Sequence, residues 1–263
     1  MTTGVAQAAI VKNSDFVYSS FDWGRVTEPV GPASGAEKVT LNVVDILPGS
    51  VWRLGWALEE ENVVVVFRGD GHGDVTSERS PLRRGDALYS PTGRTLELRA
   101  GDEGLMVYVW RTGLLGDEPR SRSPRISSEL GNTETQLRGF TGTGEVQARD
   151  ETAVMNFVFW PGTGSNRLCL HCGTMQPGQT FNVHVHPESE EAFIAFEGRG
   201  QFYLEDGWYE AEAGDVLFAP PGVPHGTSYP AEDAEAPNFV TCGGPTPFDP
   251  VLYARAGVSA EVR

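Results

Sequence analysis

The chain has 263 residues, enough for two domains of ordinary size or one large β domain, and its 39% hydrophobic content can fill packed cores. Asp and Glu number 36 against 20 Lys and Arg, giving a net charge of −16. Such a surface repels phosphate backbones and anionic head groups, which excludes nucleic acid and membrane as expected partners.

The opening residues, MTTGVAQAAIVKNSDF, lack a basic start followed by a long apolar run, and no apolar stretch reaches membrane-spanning length, so the expected location is cytoplasmic. Residues 1–37 are expected to form an arm that wraps a barrel edge or a neighbouring subunit. From residue 38 to 112 the pattern changes to strand-like runs at 39–47, 51–58, 63–67, 87–90, 96–99 and 105–110. Val, Leu, Phe and Tyr dominate these runs and Gly, Asp and Pro bound them, which is the grammar of an all-β meander. Residues 113–150, containing GDEPRSRSPR, read as a linker with one helical turn near 126–130. A second β unit occupies 151–245, and 246–263 is expected to be a loop-like tail. The three cysteines, Cys169, Cys172 and Cys242, are an odd number suited to reduced thiols. Cys169 and Cys172 have CxxC spacing, but they sit in an apolar run (LCLHC) with no second CxxC. They are read as buried structural thiols.

The second unit carries the chemistry. Its first stretch reads Gly178, five residues, His184, Val185, His186, four residues, Glu191, six residues, Gly198; its second reads Gly214, five residues, Pro220, Pro221, Gly222, two residues, His225. Side chains alternate along a strand, so His184 and His186 point the same way. With Glu191 opening the next apolar run and His225 opening a third strand, three imidazoles and one carboxylate can converge on one ion and leave positions open for water or substrate. By the same alternation Thr180 and Asn182 share the face of the two histidines, Phe193 shares that of Glu191, and Phe218 and Tyr229 are placed at the cavity. Asn182, Phe193 and Phe218 are therefore the expected substrate pocket, and Tyr229 the expected proton-transferring group.

These stretches resemble the two conserved motifs of the cupin superfamily, small antiparallel β-barrels with a metal in the mouth. The resemblance implies an all-β fold of two tandem cupin (double-stranded β-helix, or jelly-roll) barrels, because the first half repeats the punctuation of the second. There Gly55, Ala57, Asn62 and Leu96 stand where His184, His186, Glu191 and His225 stand, so the first barrel is expected to be degenerate. Glu190 is a rival ligand, since the family allows three or four residues after the second histidine, but only Glu191 leaves Gly198 at the required distance. The asparagine that often lies four residues beyond the last histidine is Tyr229 here. Arg53 shares the parity of Gly55 and is expected either inside the barrel, against Glu97 or an anion, or on the rim.

The implied cofactor is one divalent transition metal per chain, Fe(II) first, with Mn, Ni, Zn or Cu tolerated by the same ligands. The implied activity is an oxygenase or dioxygenase acting on a small organic molecule. The alternatives are a non-redox isomerase, lyase or hydrolase, and a non-catalytic small-molecule-binding protein. Two-barrel ureidoglycine aminohydrolases look similar in keeping their metal in the C-terminal barrel, although their glutamate-led ligand pattern differs from His184-Val185-His186. A homodimer is the expected assembly.

Overall fold

A computed structural model describes residues 7–54, 59–114, 123–138, 140–141, 145–146, 153–231 and 235–254. The Val-rich and aromatic runs form strands, as their stiff branched side chains favour, and the turns between them use left-handed glycines such as Gly49 and Gly178 (φ 68° and 84°). Among the described residues one large sheet runs, in spatial order, Ser127–Glu129, Asp86–Ser90, Glu60–Val75, Leu96–Gly113, Thr40–Ile46, Gly24–Val30 and Ser19–Phe21, with two further strands paired onto it. A second runs Ala9–Val11, Val216–Ala219, Glu190–Glu197, Phe239–Thr246, Leu170–Met175, Val154–Phe159 and Gln136–Arg138. A four-stranded sheet of Thr180–His184, His225–Ser228, Arg199–Leu204 and Gly207–Glu212 faces the second of these across the cavity of the second barrel. No helix among the described residues is long and apolar enough to cross a membrane.

Three cores follow from this layering. One fills the first barrel (Val44, Val64, Val66, Leu98, Val107), and one fills the second (Met155, Phe157, Phe193, Phe202, Leu217). The third lies between the two barrels, where Val65, Tyr108 and Trp110 meet Ile194, Phe218 and Cys242. The three cysteines are buried and free, as their apolar surroundings predict.

Several expected boundaries move. Within residues 7–37, Ser19–Phe21 and Gly24–Val30 belong to the first sheet, and Ala9–Val11 pairs with Val216–Ala219 at an edge of the second barrel. The helical turn expected near 126–130 is instead a strand, Ser127–Glu129, on the edge strand Asp86–Ser90, so the linker region is partly sheet. The tail carries a short helix, Pro250–Ala254. Arg53 lies on the rim, its exposed guanidinium 2.8 Å from Glu97.

The internal repeat extends further than the motif punctuation. One spacing separates Pro32 from Pro161, Glu61 from Glu190 and Asn62 from Glu191. Pro32–Ser34 and Pro161–Thr163 are matching 3-10 turns, each closed by a left-handed glycine, Gly35 (φ 81°) and Gly164 (φ 98°). Each turn leads into backbone that the other barrel caps. The buried Glu190 carboxylate accepts the N–H groups of Glu37, Lys38 and Val39 at 2.8, 2.7 and 3.0 Å. The buried Glu61 carboxylate accepts those of Asn166, Arg167 and Leu168 at 2.8, 2.5 and 2.6 Å, together with the Tyr89 hydroxyl at 2.7 Å. Three parallel N–H donors satisfy a buried carboxylate that would otherwise carry a large desolvation cost.

Candidate metal centre

His184 ends one strand, His225 sits directly opposite it at the start of the neighbouring strand, and Glu191 lies on the facing sheet. His186 follows in the turn, buried, its carbonyl accepting the Gly222 N–H of the proline-glycine turn at 2.8 Å. One ligand atom from each of His184, His186, Glu191 and His225 lies within 4.8 Å of all the others. The Nε2 atoms of His186 and His225 are both 2.8 Å from Glu191 Oε2, and that of His184 is 3.9 Å away. The opposite ring nitrogens are each held from outside. Nδ1 of His184 meets the Asn182 carbonyl at 3.0 Å, that of His225 the Val223 carbonyl at 2.9 Å, and that of His186 the Asp249 carboxylate at 2.9 Å. Such outer partners fix the tautomer and aim Nε2 inward.

The electrostatics are those of a preformed site for a cation. Burial, reinforced by the neighbouring His225 and His186 rings, pushes the pKa of His184 down to about 3, so the ring stays neutral. Burial also opposes charge on His186, but Glu191 and Asp249 outweigh it and lift the value to about 9. Burial would raise Glu191, yet the His186 charge and hydrogen bonds from His171, His186 and His225 hold the carboxyl well below its usual range. His186 Nε2 is buried 2.8 Å from Glu191 Oε2, a contact whose angle is poor for a hydrogen bond. An imidazole nitrogen so poorly aligned beside a carboxylate and two more imidazoles fits a divalent transition ion at their centre.

The expected site residues divide. His184, His186, Glu191 and His225 come together, and Phe193 lines the adjoining cavity. Glu190 faces the other way, into the loop of the first barrel that it caps. Asn182 is exposed and offers the site only its carbonyl; Phe181 lines the cavity instead. The cause is a register shift: Phe181 pairs with Thr227 and His184 with His225, so one extra residue on this strand reverses the alternation. Phe218 is paired with Ala192, one position out of phase with Glu191, and its ring belongs to the core between the barrels. Tyr229 is buried with its hydroxyl engaged at both ends of Ala236, donating to the carbonyl at 2.6 Å and accepting the N–H at 3.0 Å. It locks a loop and does not face the ligand cluster as a proton carrier. In the first barrel Asn62 and Leu96 are buried and no ligand group forms among the described residues; Gly55 and Ala57 lie outside them.

Two residues at the site were not singled out from the sequence. Asp249, in the supposed tail, orients His186. His171, between the two cysteines, places Nε2 3.4 Å from Glu191 Oε1 and 3.3 Å from the Tyr253 hydroxyl. The alternation of LCLHC held a signal, since His171 stands out of phase with the apolar Leu170 and Cys172. The cavity beside the cluster, lined by Met155, His171, Phe181, Phe193, Thr227 and Thr241 among others, offers about 30 Å³ of water-accessible room, suited to a ligand of a few heavy atoms. A larger open groove of about 690 Å³ beside the first barrel, lined by Arg83, Asp86, Arg125, Glu129 and Glu134, lies on the other barrel from the ligand cluster.

Residues 172–236 match the family model of the cupin domain. The fold is similar to that of a point variant of oxalate decarboxylase from Bacillus subtilis, with a TM-score of 0.68 and 14% identity over 93% of this chain and 78% of that one. At that identity the likeness concerns the fold. The (S)-ureidoglycine aminohydrolase of Arabidopsis thaliana is 36% identical over 55 residues, 21% of this chain and 18% of that protein. A cobalt-precorrin-5B C(1)-methyltransferase of Thermoplasma acidophilum is 26% identical over 160 residues, 55% of this chain and 41% of that protein. The chain thus spans less than half the length of these curated relatives.

Proposed function

We propose that this chain, a two-barrel cupin with a ligand cluster in its second barrel, is a metal-dependent enzyme acting on a small organic molecule by redox-neutral chemistry, as a lyase or hydrolase. The observation that carries the enzyme reading is the convergence of three inward Nε2 atoms and one carboxylate beside a small, mostly apolar cavity. Support for the redox-neutral class comes from what the chain is similar to: a decarboxylase whose centres hold Mn(II), and an aminohydrolase. A bound divalent ion would supply Lewis-acid polarisation of a carbonyl or carboxyl oxygen.

The chain's own residues do the rest. His184, His186, His225 and Glu191 would hold the ion. Asp249 keeps the His186 ring fixed, which limits reorganisation when ligand arrives. Phe181, Phe193 and Met155 exclude bulk water and set the size limit of the substrate. A second reading, an Fe(II) oxygenase, is compatible with the same ligand set, which iron accepts as readily as manganese.

The test is to purify the protein without chelator and measure bound metals by mass spectrometry beside a His186→Ala variant, then to assay small carboxylates and amides with and without dioxygen. About one equivalent of metal lost in the variant, with oxygen-independent turnover, is expected. Strictly oxygen-dependent turnover would transfer support to the second reading, and no metal even after reconstitution would refute both.

A further inference from the structure

The ring of Phe181 divides the interior of the second barrel. Phe181 stands on the four-stranded sheet, opposite Thr227, and the register shift before His184 turns both side chains inward. Gly173 stands on the facing sheet, in register with Met155 on one side and Thr241 on the other. A Cβ placed on Gly173 would meet Phe181 Cε2 at 2.6 Å and Cζ at 3.2 Å. The tip of the ring therefore rests on bare backbone of the opposite wall, and this one side chain spans the barrel from sheet to sheet. A glycine inside a strand weakens it and marks a close approach. Here the strand Leu170–Met175 gives up a side chain to seat the ring.

A ring so placed is a floor. On one side of it lie His184, Glu191 and His225 with the small cavity, to whose wall Phe181 and Gly173 both belong. On the other, one residue pair further along the strands, Met175 and Phe239 fill the interior and are fully buried. Phe193, the second ring of the wall, is held edge-on against Phe202 with centroids 5.0 Å apart. The 30 Å³ of room between cluster and floor holds about two water molecules. We propose that Phe181 is the specificity-determining residue of the cavity, its ring limiting the molecule seated on the ion to a short chain. The substrate class is a carboxylate or amide with about one or two carbon atoms beyond the group that meets the ion. This rests on the metal-enzyme reading above and deepens it, since it assigns the length limit to one side chain.

Acetate, propionate and butyrate, which differ only in chain length, are the probes. Their affinities for the Mn(II)-loaded protein are read from the change in the Mn(II) paramagnetic resonance signal, in the parent, in Phe181→Ala and in Phe181→Leu. In the parent, butyrate is expected to bind at least about tenfold more weakly than propionate, as an extra methylene does in a filled site. In F181A the floor is gone and each added methylene is expected to strengthen binding by about fourfold. The butyrate-to-propionate ratio should therefore rise at least about tenfold, with metal content unchanged. F181L should move the ratio the same way by at least about threefold, and it carries the test alone should F181A not fold. A ratio unchanged in the folded variants overturns the proposal. So does a parent that holds butyrate as tightly as propionate, or one whose Mn(II) signal answers none of the three acids. Loss of metal from the folded variants also overturns it, because the ring would then serve to hold the ligands. A parent protein that takes up no Mn(II) fails at the loading step, which refutes the metal reading separately.

Discussion

Asp249 offers the sharpest test of how the centre is held. Its Oδ2 lies 2.9 Å from His186 Nδ1, with the two side chains 11% and 1% exposed, so water does not replace the contact when it is lost. In Asp249→Ala the His186 ring loses its anchor and leaves an unpaired buried N–H. Hydrogen bonds to charged groups contribute about 1.5–3 kcal/mol. Removal of such outer partners of metal-binding histidines typically costs about 10- to 100-fold in metal affinity, or about 1.4–2.7 kcal/mol, so the two routes to the magnitude agree. D249A should therefore bind Mn(II) or Zn(II) about 10- to 100-fold more weakly in a chelator-competition titration. Asp249 Oδ1 also accepts the Val251 N–H at 3.1 Å, which helps start the helix Pro250–Ala254. Asp249→Asn keeps a single acceptor oxygen, which can serve His186 Nδ1 or the Val251 N–H but not both, and should bind metal with an affinity between those of the parent and D249A. A folded D249A whose affinity stays within about threefold of the parent would refute the argument that this carboxylate orients the ligand.

Glu190→Ala should retain its metal but melt at least about 6 °C lower, because three buried N–H groups lose their acceptor at a cost of about 3 kcal/mol or more. Glu191→Ala should lose the metal, and the opposite pattern would exchange the roles of the two carboxylates. Tyr229→Phe should lower the melting temperature by about 2–4 °C, for the loss of about 1 kcal/mol of hydrogen bonding to Ala236, and leave metal content and turnover as they were. A collapse of turnover with normal stability would return Tyr229 to the chemistry. Burial pushes the Cys172 thiol up to about 12, so at pH 8 only about one in ten thousand is the reactive thiolate, a fraction that grows as pH rises. Ellman's reagent should find no fast-reacting thiol in the native protein and three after denaturation; rapid native labelling would contradict the buried placement of Cys169, Cys172 and Cys242.

What the sequence disclosed was what its local punctuation encodes. The glycine and proline turns fix where each strand begins, so the spacing of His184, His186, Glu191 and His225 was enough to bring them together in one barrel. Strand alternation carried the argument as far as Phe193 and no further. It misplaced Asn182 because the extra residue before His184 exists only relative to its partner strand, and a bulge is a property of a pair. Phe218 failed for a related reason, since both faces of its strand are apolar and the pattern cannot say which core each face serves. Asp249 and His171 reach the centre from 63 and 82 positions away from their partners His186 and Tyr253, contacts that no local spacing announces.

The reciprocal capping has a consequence for how the two halves depend on each other. Ala9–Val11, ahead of the first barrel, completes the edge of the second, and Ser127–Glu129, ahead of the second, completes the edge of the first. Glu61 and Glu190 repeat the exchange in carboxylates. This is the symmetry of a homodimer whose subunits embrace by their leading strands, written into one chain. In such a dimer every substitution strikes both sites at once. Tethering makes the pairing independent of concentration and frees the two copies to diverge. One half carries the complete set of imidazoles, while the other has Asn62 and Leu96 at the matching positions and shares the contacts by which the halves clasp each other.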